Sequence, residues 1–369
     1  MRMIPWWKIK INQENLKQIN NSFKSKHFSE GRVTKNLELK IKNYLKVKYS
    51  IVTTSGTSAI FLILIYLCQK YKKKNEIIIS NRSWISPAHS SHILGLKLFL
   101  VDVKKNFPIA NEEKIIQSIN KNTLAIICVQ LNGRSVDIDF IKKSKNYKMY
   151  KPFILEDAAQ SFSSKHNKKY IGTIGNAGIL SFSMGKIVSS GQGGAVITNN
   201  KNLDRKLRLI KNNGIVNRYT DTWNTFGLNF KFTDIQASLL IKQINKIHIN
   251  IKKLRSLYKF YEKNLKEIKS LSLIYSSKDF KNGWVPLYVE CLSNKRNKII
   301  KLLNKNKIQA RKIYPSLNTT KYLITKGKKF EASKKFNKSL FYLPSGPDQD
   351  KQKLNKIFKI LKNYENKRR

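Results

Sequence analysis

Short apolar runs recur through the first two thirds of the chain, each bounded by small or polar residues and followed by a longer stretch rich in lysine. The runs at residues 50–53, 77–79, 98–101, 124–129, 153–155, 180–182 and 195–198 have the length and β-branched content of buried strands. The stretches between them carry apolar residues at helical spacing. Strand and helix alternating in this way predict an α/β fold, a mainly parallel sheet covered by helices. From about Thr233 an amphipathic pattern over residues 234–247 predicts a long helix leading into a smaller α+β part. The expected division is a large domain at residues 1–245, N-terminal segment included, and a small C-terminal domain at residues 246–369.

Length and composition permit this plan, since 369 residues with 41% hydrophobic side chains supply core for both parts. The longest apolar run, residues 59–68, is too short to cross a bilayer, and the opening Met-Arg-Met-Ile-Pro-Trp-Trp lacks the apolar centre of a signal peptide. A soluble cytoplasmic protein is expected. Cys68, Cys128 and Cys291 are odd in number, widely spaced and without histidines at metal-ligand spacing, so free core thiols and no metal are expected. The net charge of +51 would draw polyanions. Its lysines, however, are scattered through every element beside abundant asparagine and isoleucine, which is a pattern of base composition rather than of a binding patch. Clusters at residues 72–74 and 365–369 read as solvated faces, and no specific nucleic-acid partner is expected.

Candidate chemistry gathers at or just past four of the predicted strands. Asp157 follows the apolar run that begins at Phe153, and a carboxylate there can pair with a protonated ring nitrogen. Lys186 follows Ser181 by five residues, among apolar neighbours. A lysine so placed can lose its proton and attack an aldehyde to form a Schiff base. The small-residue turn around Gly56 separates a strand from a long apolar helix. The amides of Gly56 and Thr57, with the Thr57 hydroxyl, would form a phosphate site at that helix start, and Ser181 would add a second hydroxyl. Trp84, in the loop after the strand at residues 77–79, offers a ring to stack on a flat ligand. Each residue alone has an ordinary structural explanation, as a cap or a solvated charge. Together they meet the demands of pyridoxal 5'-phosphate, which needs an acid for its pyridinium, a lysine for its aldehyde and an anion site for its phosphate. Strand ends are where open α/β sheets bind ligands.

The order and separation of several motifs resemble the DegT/DnrJ/EryC1/StrS family of sugar aminotransferases, pyridoxal phosphate enzymes of the aspartate aminotransferase fold, known as fold type I. The resemblance runs from about Ile4 to Leu361 and is carried by residues 28–38, 54–59, 129–139, 156–160, 181–194 and 227–237. It implies that Lys186 holds the cofactor as a Schiff base and later shuttles a proton between substrate carbon and cofactor. It also implies that Asp157 holds the pyridinium and Gln160 the phenolate oxygen, with Ala159 leaving room on one face of the ring and Trp84 covering the other. By the same resemblance Gly56, Thr57 and Ser181 bind the phosphate, and Asn229 reaches the phosphate of a partner subunit, so that a homodimer shares its sites. The implied amino donor is an amino acid, glutamate, and the implied acceptor is a nucleotide-linked keto sugar for polysaccharide synthesis. Arg311 and Tyr314 resemble the small-domain segment that faces the site, with Arg311 placed to meet a substrate phosphate or carboxylate.

The sequence also departs from the family pattern. Gln192 stands where many members carry glutamate, and Gln130 and Asn213 stand where histidine is common; in relatives these positions lie near the substrate. One branch of the family has histidine in place of the lysine and dehydrates sugars, and Lys186 separates this chain from it. Residues 131–137, 181–186 and 191–194 are similar to the perosamine synthase-like subgroup, which aminates the fourth carbon of a 4-keto-6-deoxy sugar nucleotide. An aminotransferase for a different cyclic ketone, and a cofactor-binding regulator without turnover, are the readings that compete with it.

Overall fold

The computed structural model describes residues 3–10, 13–24, 28–217, 219, 223, 225–323, 325–327 and 329–366. Residues 1–2 of the opening segment and residues 367–369 of the C-terminal basic cluster lie outside the described residues. Eight strands form one sheet in the order Tyr49–Thr53, Gly194–Thr198, Ala177–Ser181, Phe153–Asp157, Thr123–Val129, Glu76–Ser80, Lys97–Val101 and Thr325–Lys326. All pair in parallel except Gly194–Thr198, which runs antiparallel to both its neighbours. The mainly parallel sheet is therefore as expected. The reversed strand follows Ala177–Ser181 through a loop without a crossover helix, a connection open only to antiparallel neighbours. That loop carries Lys186, and the reversal holds it beside the end of the strand it leaves.

Every position of Thr123–Val129 is buried, as a central strand covered on both faces requires. The helix Gly56–Lys70 packs on the sheet and buries Ala59, Ile60, Leu62, Ile63, Leu64, Ile65 and Leu67, which explains why its apolar run shows no polar face. The strand expected at residues 180–182 spans Ala177–Ser181 instead, its first half broken by a glycine that carries no apolar signal. Gly178 is in the strand because a Cβ there would lie 2.1 Å from the Gly172 carbonyl oxygen, so only glycine lets the two backbones meet. Thr325–Lys326 was not anticipated; two partly exposed residues present no apolar run. Cys128 and Cys291 are buried free thiols, whereas Cys68 is only half-buried and packs against the rim of the core. Among the described residues no helix is long and apolar enough to cross a membrane.

A second, antiparallel sheet takes the order Ser272–Leu273, Val289–Leu292, Leu340–Leu343 and Arg311–Lys312. The helices Ile247–Asn264, Arg296–Lys305 and Lys351–Asn366 pack around it through Leu257, Tyr261, Ile299, Leu303, Leu354 and Leu361. The N-terminal segment lies along this part, bridging Ile4 to Ile308 and Trp7 to Ser345.

One cap crosses the chain. The helix Arg32–Leu45 starts after Gly31, which has no side chain to cap it. Asp234 does so from 203 residues away, its carboxylate accepting from the amides of Gly31 at 2.9 Å, Val33 at 3.1 Å and Thr34 at 2.9 Å. The Thr34 hydroxyl donates to the same carboxylate at 2.6 Å. Anionic charge at a helix N-terminus is favourable in its own right. Asp234→Ala is expected to cost about 2 kcal/mol, because it strands buried donors. Urea unfolding should show a lower midpoint at unchanged slope, and an unchanged midpoint would remove this role.

Candidate active site

The C-terminal ends of the parallel strands open into a cavity of about 680 Å³. Gly56, Thr57, Trp84, Asp157, Gln160, Ser181, Lys186, Arg311 and Tyr314 all line it, although they come from five separate stretches of sequence. Asn229 does not; it is exposed, on a segment bridged to Asn212.

One end of the cavity is built for an anion. The helix Gly56–Lys70 is capped by Ser55, whose hydroxyl accepts from the Ser58 amide at 3.0 Å. Among the described residues no acceptor takes the amides of Gly56 and Thr57, the first two of the helix, which is the usual condition of a helix start. The Thr57 hydroxyl donates to Ser86 at 2.8 Å, and the Ser181 and Ser183 hydroxyls lie 3.2 Å apart beside it. A Cβ on Gly56 would sit 3.2 Å from the Cβ of Ser181, so glycine lets the helix start close onto the strand end.

The other end holds the acid and the lysine. Asp157 is the last residue of its strand and only 6% exposed. Burial pushes its carboxyl up, while the Ala159 amide, donating to Oδ1 at 3.1 Å, and the charge of Lys186 pull it back. Lys186 is half-buried, and desolvation lowers it from the ordinary lysine value to about 8, against the pull of Asp157. Lowered in this way, it reaches its neutral, nucleophilic form near physiological pH.

The walls are aromatic and amide groups. Trp84 is 55% exposed and meets Tyr314 edge to face at 5.8 Å between centroids. The Gln160 side-chain Oε1 accepts from the Asn132 amide at 3.2 Å, and the same side chain also meets the Tyr314 hydroxyl. The Arg311 guanidinium lies 4.4 Å over the ring of Trp6.

Trp6, Ser183, Tyr288 and Tyr342 line the cavity as well and were missed in the sequence. Ser183 was legible, because it stands two residues from Ser181 across the buried Phe182 and so shares the same face. Trp6 was not. It arrives through the bridges of the N-terminal segment, and only the fold brings those to the second sheet.

Known proteins resemble the chain in sequence and in fold. A model of the DegT/DnrJ/EryC1/StrS aminotransferase family matches residues 9–362. The chain belongs to that family. It is 28% identical over 293 residues to the UDP-4-amino-4,6-dideoxy-N-acetyl-beta-L-altrosamine transaminase of Campylobacter jejuni, covering 78% of this chain and 76% of that one. To the GDP-perosamine synthase of Escherichia coli O157:H7 it is 26% identical over 352 residues, 94% of each. Its fold superposes on Helicobacter pylori PseC, an aminotransferase involved in the biosynthesis of pseudoaminic acid, with a TM-score of 0.91 at 21% identity, covering 98% of this chain and 99% of that one. The expected fold type I architecture and aminotransferase class both stand.

Within the family the departures can now be placed. Gln130 reaches the cavity, but its side chain is committed elsewhere. Its Nε2 donates to Glu156 at 3.1 Å and its Oε1 accepts from the Val136 amide at 2.7 Å. Glu156 in turn accepts from the amides of Gly172 at 2.8 Å, Ile174 at 2.6 Å and Gly175 at 2.6 Å. The pair is a buried scaffold behind Asp157. Gln192 lines the cavity, while Asn213 does not.

Proposed function

We propose that this chain moves an amino group from an amino acid, glutamate, to a nucleotide-linked keto sugar, with pyridoxal phosphate as its cofactor. The observation that carries the reading is a lysine of lowered proton affinity and a buried aspartate in one cavity, whose opposite end is the unpartnered start of a helix. The donor set fits the cofactor at each of its functional groups. Gly56, Thr57 and Ser181 would hold the phosphate, Lys186 the aldehyde, Asp157 the ring nitrogen and Gln160 the phenolate oxygen, with Trp84 over one ring face. When bound, pyridoxal phosphate supplies an electron-withdrawing ring that takes up the electron pair left as the substrate carbon loses its proton.

The chain supplies position and proton movement. Asp157 keeps the ring nitrogen charged. Lys186, as a free amine, takes the proton from the donor carbon and returns one to the acceptor carbon. The donor's amino group exchanges for the acceptor's keto oxygen, so no external oxidant or reductant is needed. The relatives' names support a 4-keto-6-deoxy hexose as acceptor, since that of the C. jejuni transaminase gives a UDP-linked 4-amino-4,6-dideoxy sugar and the E. coli relative is a GDP-perosamine synthase, the subgroup this chain resembles. The exposed position of Asn229 supports its reaching a partner subunit, and with it a homodimer.

Visible absorbance with pyridoxal phosphate tests the reading. A band of the lysine-linked cofactor should appear, bleach with glutamate and return with a 4-keto-6-deoxy sugar nucleotide. A band that forms and never responds to an amino donor would favour a silent regulator. Ser181→Ala should weaken cofactor binding about 10-fold, through loss of one hydrogen bond to a charged group. An equilibrium titration of the band measures this, and an unchanged affinity takes Ser181 out of the phosphate site.

A further inference from the structure

Arg82 is among the most deeply buried charges in the chain, with 1% of its surface exposed. Withdrawing a guanidinium from water is costly unless it is hydrogen-bonded or paired. Among the described residues it forms no ion pair, and its Nε is without a partner. Its Nη1 is fully engaged. It donates to the Tyr314 carbonyl at 3.1 Å, the Ser316 hydroxyl at 3.3 Å and the Asn337 side-chain oxygen at 3.3 Å, and the guanidinium stands 5.5 Å from the Tyr314 ring centre.

The partners give the arrangement its meaning. Arg82 lies in the loop that follows Glu76–Ser80 and presents Trp84, whereas all three acceptors belong to the far part of the chain. Asn81 reinforces the link, its backbone oxygen accepting from the Leu317 amide at 3.0 Å and its side-chain oxygen from the Asn318 amide at 2.9 Å. Two adjacent residues thus clip residues 314–318 to the loop bearing Trp84. Tyr314 and, three residues before it, Arg311 line the same cavity as Lys186. Trp84 has a local anchor of its own, its carbonyl accepting from the Ser83 hydroxyl at 2.7 Å.

We propose that Arg82 is a positioning residue, one that sets the wall formed by Arg311 and Tyr314 and thereby the affinity for the acceptor sugar nucleotide. Its consequence for affinity rests on the function proposed above; the clip itself does not. Lysine cannot replace it fully, because an ammonium is a point charge without the planar guanidinium that stands against the Tyr314 ring.

The test separates the two. Hydrogen exchange measured by mass spectrometry on the whole protein should be faster in Arg82→Met across residues 311–318, with Glu76–Ser80 and the start of Gly56–Lys70 unchanged. Arg82→Lys should fall between. Unchanged exchange at residues 311–318 overturns the clip whether or not the protein transfers amino groups. With a 4-keto-6-deoxy sugar nucleotide as acceptor, Arg82→Met should raise its KM about 10-fold, with kcat and the affinity for pyridoxal phosphate within about 2-fold. A fall in kcat with KM unchanged, or an equal loss of cofactor affinity, overturns the role in acceptor binding. Should Arg82→Met fail to fold, Asn337→Ala removes one acceptor at a half-buried site and is expected to show the same pattern in weaker form.

Discussion

Lys186→Ala is expected to lower amino transfer by about 10³-fold or more while leaving the cofactor able to bind without a covalent link. Two functions fall together in this variant, the attachment to the aldehyde and the movement of the proton. The phosphate end of the cavity, at Gly56, Thr57 and Ser181, is untouched. The absorbance of bound pyridoxal phosphate should therefore shift to that of the free aldehyde without vanishing, and single-turnover measurements should show the loss in the proton-transfer step. Substantial transamination by this variant would refute the assignment. Wild-type pH dependence gives a second check. With Lys186 lowered to about 8, its neutral fraction, and with it the rate of cofactor capture, should climb with pH and level off above about 8. At pH 7 roughly one molecule in ten is then neutral, against about one in a few thousand for an ordinary lysine. A capture rate still rising steeply at pH 9 and beyond would mean that burial does not act on this amine as described.

Asp157→Asn is expected to reduce turnover by about 10²-fold to 10³-fold, with the fold kept, since asparagine has nearly the same shape. The amide oxygen can still accept from the Ala159 amide, which now takes 3.1 Å to Oδ1. What it lacks is the charge that keeps a ring nitrogen protonated. The same charge raises Lys186 against the effect of burial, so its removal should move the midpoint of cofactor capture below about 8. Reduced turnover with that downward movement identifies an electrostatic role. Reduced turnover with an unmoved midpoint would place Asp157 too far from Lys186 to act on it, and undiminished turnover would exclude it from the site.

Much of the sheet and most of the site were legible along the chain, for a local reason. Strand, turn and helix start are adjacent in sequence, so the phosphate end at Gly56 and Thr57, the acid at the end of Phe153–Asp157 and the lysine after Ser181 could be seen within short windows. The elements that escaped are those whose partners are remote. Gly178 adds nothing to an apolar run until the Gly172 backbone approaches it, and Thr325–Lys326 has no signal apart from the strand it joins.

The sequence by itself determined which residue types stand at each strand end, the alternation that forces a parallel sheet, and the motif order that marks the family. Tertiary structure alone decided how those ends converge. It brought Trp6 to the cavity, let Asp234 cap a helix that starts after a glycine, and spent the side chain of Gln130 on Glu156 rather than on the cavity. It also buried Arg82 against Tyr314 and Asn337. The physical reason is common to all four. Hydrophobic period and backbone propensity act over a few residues, whereas desolvation and hydrogen-bond satisfaction are set by whatever the folded chain brings near, at any separation in sequence.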